Sequence, residues 1–108
     1  MRPVSVTQTG VGTSAGVPVD IYSPNNNKGV FVDVTGTATY TVQVTGDDVF
    51  DPLVVPVWLN VDSVANANLT NATTDQSGII AIPCRAIRVN QTAGTGSSKL
   101  TVIQQGLL

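Results

Sequence analysis

Asp47, Asp48 and Asp51 place three carboxylates within five residues, the one acidic cluster of the chain. Oxygen donors so close together are a set that Ca²⁺ accepts, but Gly46-Asp47-Asp48-Val49-Phe50-Asp51-Pro52 lacks the alternating donors and the closing Glu of an EF-hand loop. Its simpler reading is a solvated turn ended by Asp51-Pro52. Paired carboxylates also hydrolyse glycosides as acid and base across a bound sugar. Nothing in a chain of 108 residues with this composition supplies the cleft that reaction needs.

The rest of the reactive inventory is thin. There is no His and no Glu, and all seven acidic residues are Asp. Without His, the many Ser, Thr and Tyr hydroxyls have no base to form a triad. Cys84 stands alone in the apolar run Ile82-Pro83-Cys84 and reads as a small buried hydrophobe; Arg85 beside it points to the opposite face of a strand and does not activate it. Gly10-Val11-Gly12 and Gly94-Thr95-Gly96 resemble fragments of phosphate-binding loops, yet neither leads into a helix, so both are turns. Asn68-Leu69-Thr70, Asn71-Ala72-Thr73 and Asn90-Gln91-Thr92 fit the glycosylation acceptor pattern without a secretory signal to make use of it. No catalytic residue, no cofactor and no metal ligand set is expected. The chain reads as a protein that is not an enzyme and works through its surface.

The surface candidates centre on Leu53 to Val61, where Leu53, Val54, Val55, Val57, Trp58, Leu59 and Val61 form a nearly continuous apolar run broken by Pro56. Proline removes a ladder donor, so the segment belongs at an edge or a bulge. An edge this apolar is either covered or paired with another chain. Trp58 fits an interface anchor, Trp being the residue most enriched at hot spots; the competing placement is a core Trp packed under the sheet. Arg85 and Arg88 are three apart and point to opposite faces of a strand, one of them toward the Asp47 to Asp51 loop or a neighbouring subunit. The expected interface set is Val54, Val55, Val57, Trp58, Leu59, Arg85 and Arg88.

The elements that carry these residues are strands. Period-two alternation is clearest from Thr37 to Thr45, with Ala38, Tyr40, Val42 and Val44 on one face and Thr37, Thr39, Thr41, Gln43 and Thr45 on the other. The spacing predicts a strand with one face buried. Gly29 to Val34 forms another strand, and Thr35-Gly36 between the two reads as a tight hairpin in which Gly36 takes a positive φ. Further strands are expected at Pro3 to Thr9, Val17 to Tyr22, Ile79 to Ile82, Arg85 to Gln91 and Lys99 to Gln105. Turn residues separate them at Gly10-Val11-Gly12, Ser23-Pro24-Asn25-Asn26-Asn27, Asp51-Pro52 and Ala93-Gly94-Thr95-Gly96. Asp62 to Gly78 is polar and reads as a long excursion with little regular structure. Short strands with frequent turns predict an all-β fold: one domain over residues 1–108, an antiparallel β-sandwich or jelly-roll-like barrel of about 7–8 strands.

Composition bounds the partners. Charged residues make up 11% of the chain and apolar ones 42%, a thinly charged surface for a protein that must stay soluble alone, and the expectation is a homo-oligomer, a dimer or trimer. A net charge of −2 with five scattered basic residues offers no stripe for nucleic acid. No run approaches the roughly 20 apolar residues of a membrane span, and Met1-Arg2-Pro3 opens no signal peptide, so the expectation is a product made and kept in a cytoplasm.

The opening Met1-Arg2-Pro3-Val4-Ser5-Val6-Thr7-Gln8-Thr9-Gly10 resembles a family of small virion-associated proteins of tailed bacteriophages. So do Gly36-Thr37-Ala38-Thr39-Tyr40-Thr41-Val42-Gln43 with Asp47-Asp48-Val49-Phe50, Arg85-Ala86-Ile87-Arg88-Val89-Asn90, Gly94-Thr95-Gly96 and Leu100-Thr101-Val102-Ile103-Gln104. The resemblance touches most of the chain and is least at Leu53 to Ser77. It implies a structural role on the particle, commonly that of a cement or decoration protein clamping the major capsid protein at the capsid surface, otherwise a place in the neck or tail. It implies no catalytic residue. A carbohydrate- or receptor-binding module is the rival class, and it calls for exposed aromatics gathered on one face.

Overall fold

The computed structural model describes residues 3–21, 27–61, 64 and 66–104. Among these residues nine strands form two antiparallel sheets: β1 (Val4–Thr9), β2 (Gly12–Thr13), β3 (Val17–Pro18), β4 (Lys28–Thr35), β5 (Thr39–Thr45), β6 (Leu59–Asn60), β7 (Gln76–Ile80), β8 (Ala86–Ala93) and β9 (Ser97–Gln104). One sheet runs β1-β9-β4-β7, and the other β2-β8-β5-β6 with β3 also on β8. β2 and β3 pair with successive stretches of the same strand, so they share one edge and the nine strands fill eight positions, four over four. The all-β sandwich expected from the alternation is therefore the fold, and its winding is that of a jelly roll: β1 and β2, β4 and β5, β6 and β7, β8 and β9 are each split between the two sheets.

That winding overturns the expected hairpin. β4 pairs with β7 and β9, β5 pairs with β6 and β8, and the two do not pair with each other. Gly36 does take a positive φ, 77°, but the bend it makes carries the chain from one layer to the other. The physical reason is burial. Val30 and Val32 of β4 and Tyr40, Val42 and Val44 of β5 all belong to one core, and strands that face each other bury those faces directly. The β8–β9 turn arches across beside it, its Gly96 N–H donating to the Thr37 carbonyl at 2.8 Å. Under the arches, fully buried Gln91 donates to the Gly94 and Gly96 carbonyls and accepts from Ser98 Oγ at 2.9 Å, so no polar group is stranded there.

Other boundaries differ in smaller ways. The Val17 to Tyr22 strand shrinks to Val17–Pro18, with Tyr22 outside the described residues; Pro18 brings no N–H to the ladder, and beyond it the Val19 N–H donates to the Arg85 carbonyl at 3.0 Å. The strand expected at Ile79 to Ile82 is Gln76–Ile80, so Gln76, Ser77 and Gly78 belong to β7 and the polar excursion ends before them. Within the excursion Ala67–Leu69 make a 3₁₀ turn, Leu69 is fully buried, and Ala72 exchanges backbone bonds with Tyr40; Asp62, Ser63 and Ala65 lie outside the described residues, as do Ser23 to Asn26 and Gln105. β5 is buried on both faces rather than one, for Thr41, Gln43 and Thr45 are covered as completely as the valines between them. Cys84 lies in the core with its thiol pKa pushed up by burial against the opposing pull of Lys28. Lys28 itself is 2% exposed and donates to the Ile82 carbonyl at 2.9 Å. Counting back in twos from Val32 and Val30 puts Lys28 on the inner face, a signal the sequence carried.

Candidate functional site

On the outer face of β5 Thr41 is bonded by Asn71, while Gln43 and Thr45 are bonded by the segment that follows the strand, and the anchoring of that segment begins at Thr45. Its hydroxyl donates to the Val57 carbonyl at 2.8 Å and accepts from the Asp47 N–H, while Asp47 Oδ2 accepts from the Val57 N–H at 2.7 Å. The two ends of the Asp47 to Val57 loop are thereby stapled together. Inside it, Asp48 caps the Phe50 N–H and Asp51 the Leu53 N–H, each at 2.9 Å. The three carboxylates serve turn geometry. Among the described residues, no three His, Cys, Asp or Glu side chains gather where a metal ion would sit.

Beyond the loop the chain runs extended with alternating faces. Pro56 and Trp58 are half-buried, while Val55, Val57 and Leu59 stand 88%, 64% and 63% exposed. Trp58 is neither under the sheet nor presented to solvent. Its ring lies over the Arg88 guanidinium at 4.4 Å on the outer face of β8, in space left by Gly16, where a Cβ would come within 2.9 Å of the ring. Arg88 Nε donates to Gln43 Oε1 at 2.9 Å, and Gln43 Nε2 donates to Asn60 Oδ1 at 3.0 Å. Burial draws the Arg88 pKa down from its ordinary value, and the ring and the amide satisfy the cation instead of water. A tryptophan, a cation and two amides thus clamp the segment at its inner face, which leaves the outer stripe no choice but solvent or a partner.

All seven expected interface residues fall on or around this one segment. Val55, Val57 and Leu59 form the exposed stripe, Val54 lies at its start, 36% exposed, Trp58 and Arg88 form the clamp, and Arg85 reaches Asp48 at 3.8 Å at the far end of the loop. Both groups of that ion pair are 45% exposed, so its worth is a few tenths of a kcal/mol, about 0.2–1. Of the expected edge strand only Leu59–Asn60 joins a ladder, against Val44 and Gln43. Two members were missed as site residues: Leu53 is 92% exposed and Phe50 77%. Leu53 was already part of the apolar run; Phe50 sits among the Asp turns, where no pattern marks it. Phe50, Ile21, Asp20, Asp48 and Arg85 line a groove of about 390 Å³ beside the loop. No protein-family model and no curated protein matches the chain.

Proposed function

We propose that the protein is a structural component of a tailed-bacteriophage virion, a cement or decoration protein that binds the major capsid shell from outside, as an oligomer. The observation that carries this reading is the stripe Leu53, Val55, Val57 and Leu59, held out from a rigid sandwich by the Thr45, Asp47 and Trp58 anchors. Covering each such side chain contributes about 1.5–3 kcal/mol, and because the stripe is already ordered, little entropy is lost on docking. A shell of identical subunits offers that stripe many equivalent seats, and occupancy stabilises a small domain by mass action. The resemblance to small virion proteins of tailed phages supports the same reading from the strands around the stripe. Among the described residues the exposed phenylalanines stand apart, Phe31 on β4 and Phe50 beyond β5 in the other layer, and form no aromatic platform of the kind a glycan-binding module needs.

Quantitative mass spectrometry of purified particles tests the proposal. The expected result is many copies per shell, in fixed ratio to the major capsid protein; one ring's worth of copies places the protein in the neck or tail, and absence from particles ends the reading.

A further inference from the structure

Edge strands present unpaired backbone groups, and natural sheets blunt them with short strands, bulges, proline, charge or a covering segment. Among the described residues, three of the four edges carry such a device. β6 is two residues long. β2 and β3 are two residues each, parted by a bend where Ser14 Oγ takes up the Val89 N–H, and β3 ends on Pro18. β7 is flanked by the 3₁₀ turn, from which Asn68 Nδ2 donates to the Ser77 carbonyl. β1 is different. Its six residues pair with β9 in unbroken register, carry no charge and no proline, and are all exposed or half-buried.

We propose that β1 is a self-pairing seam, in which the β1 strands of two copies run antiparallel about a two-fold axis normal to the sheet and join two four-stranded sheets into one. The occupant is a second copy because the strand complements itself. About such an axis each residue meets one from the same face: with Thr7 on the axis Thr7 meets its own image and Ser5 meets Thr9, hydroxyl to hydroxyl, while Val6 meets Gln8 and Val4 meets Gly10. No charge meets its own image. The nearest ones among the described residues, Lys99 and Asp33, are of opposite sign and lie in the Thr7 row on the two strands behind β1. Val4, 36% exposed, gains cover, and Val11, 69% exposed at the β1–β2 bend, adds apolar area beside the seam. This names the contact behind the oligomer of the reading above, but it rests on the edge alone, so shell attachment and self-pairing fail separately.

Sedimentation equilibrium of the purified full chain tests it, with twice the monomer mass expected. Thr7→Glu faces Lys99 within its own copy, an attractive pair, and meets its own image at the axis. Its mass should fall to that of one chain with the circular-dichroism spectrum unchanged and the melting temperature no longer dependent on protein concentration, whereas Ser77→Glu on β7 should remain a dimer. Thr7→Cys should form an interchain disulfide on mild oxidation, and Leu59→Cys should not. A wild type that stays monomeric into the millimolar range, a trimer, or a dimer indifferent to Thr7→Glu overturns the seam. So does a Thr7→Cys thiol that cross-links only to another protein of the particle.

Discussion

Trp58 holds the apolar segment against the sheet only because position 16 has no side chain. A Cβ there would press within 2.9 Å of the ring and 3.7 Å of the Ala86 methyl, so Gly16→Ala must push the ring off Arg88. The expected cost is about 1–3 kcal/mol, the range for overpacking. It should nearly vanish in a Trp58→Ala background, because the two positions act through one contact. Denaturant titration of the four proteins reads that coupling, and the fluorescence of the chain's single Trp should shift to the red in Gly16→Ala alone. Equal costs in both backgrounds would show that the ring does not need the gap. Tyr40 offers a second test at this scale. Burial, then the charges of Asp75 and Asp33, push its phenol from 10.0 up to about 12, and its hydroxyl donates to the Thr74 carbonyl at 2.8 Å. The folded state therefore keeps a proton that the unfolded chain gives up. Its contribution is complete below pH 10 and is lost as the pH rises toward about 12. Stability should fall across that window with a slope of roughly 1.4 kcal/mol per pH unit, and Tyr40→Phe should flatten the fall while costing stability at neutral pH through the bond to Thr74.

The strands were legible because alternation of valine with threonine records which side chains leave water. The partners of those strands were not. An alternating strand states that it has a buried face, and it states nothing about whether its sequence neighbour lies beside it or opposite. Val30 to Val34 followed by Ala38 to Val44 satisfies a hairpin and an arch equally well, and the choice rests on close approaches at the arches that no local pattern reports. Gly96 makes the point: a Cβ there would come within 2.2 Å of the Thr35 carbonyl oxygen and 2.7 Å of the Thr37 nitrogen, and one at Gly94 within 2.2 Å of the Thr37 carbonyl oxygen. Backbone meets backbone, so nothing flexible can move aside. Gly96→Ala should lower stability by more than about 3 kcal/mol in thermal or chemical denaturation, whereas Gly46→Ala, with nothing within 4 Å, should stay within about 0.5 kcal/mol. In the hairpin arrangement the 94–96 turn need not touch residues 35–37, and the two substitutions would cost alike. The docking segment shows the same division. Its apolar run and proline marked it as a surface feature, but Trp58 facing inward onto Arg88 depends on Gly16, forty-two residues away in sequence, and Asp47 reads as a solvated turn until its bond to the Val57 N–H is seen.

Across the whole molecule the two surfaces have a geometric relation. β1 and β2 lie at one side of the sandwich, β7 and β6 at the other, and the apolar stripe belongs to the outer face of the β2-β8-β5-β6 sheet. A two-fold axis normal to the sheets keeps that face pointing the same way in both copies, so a dimer joined at β1 presents two stripes toward one surface. Binding then becomes bivalent, and joint engagement raises apparent affinity by roughly 10²–10⁴ over a single stripe. Two variants separate the contributions in a titration of undecorated shells. Val55→Ala with Leu59→Ala removes about 1.4 kcal/mol or more per side chain, which is about tenfold each in single-site affinity. Because both side chains already stand in water, melting should barely change. Thr7→Glu leaves the stripe untouched and should lose the bivalent gain alone, binding shells with the affinity of one site. The attachment is apolar, so wild-type binding should change by no more than about threefold between roughly 0.1 and 1 M salt, over which the screening length shortens from about 10 to about 3 Å. Affinity that collapses with salt would transfer the contact to Arg85 and the aspartates around it, and a Thr7→Glu protein that binds as tightly as wild type would mean the two stripes never engage one shell together.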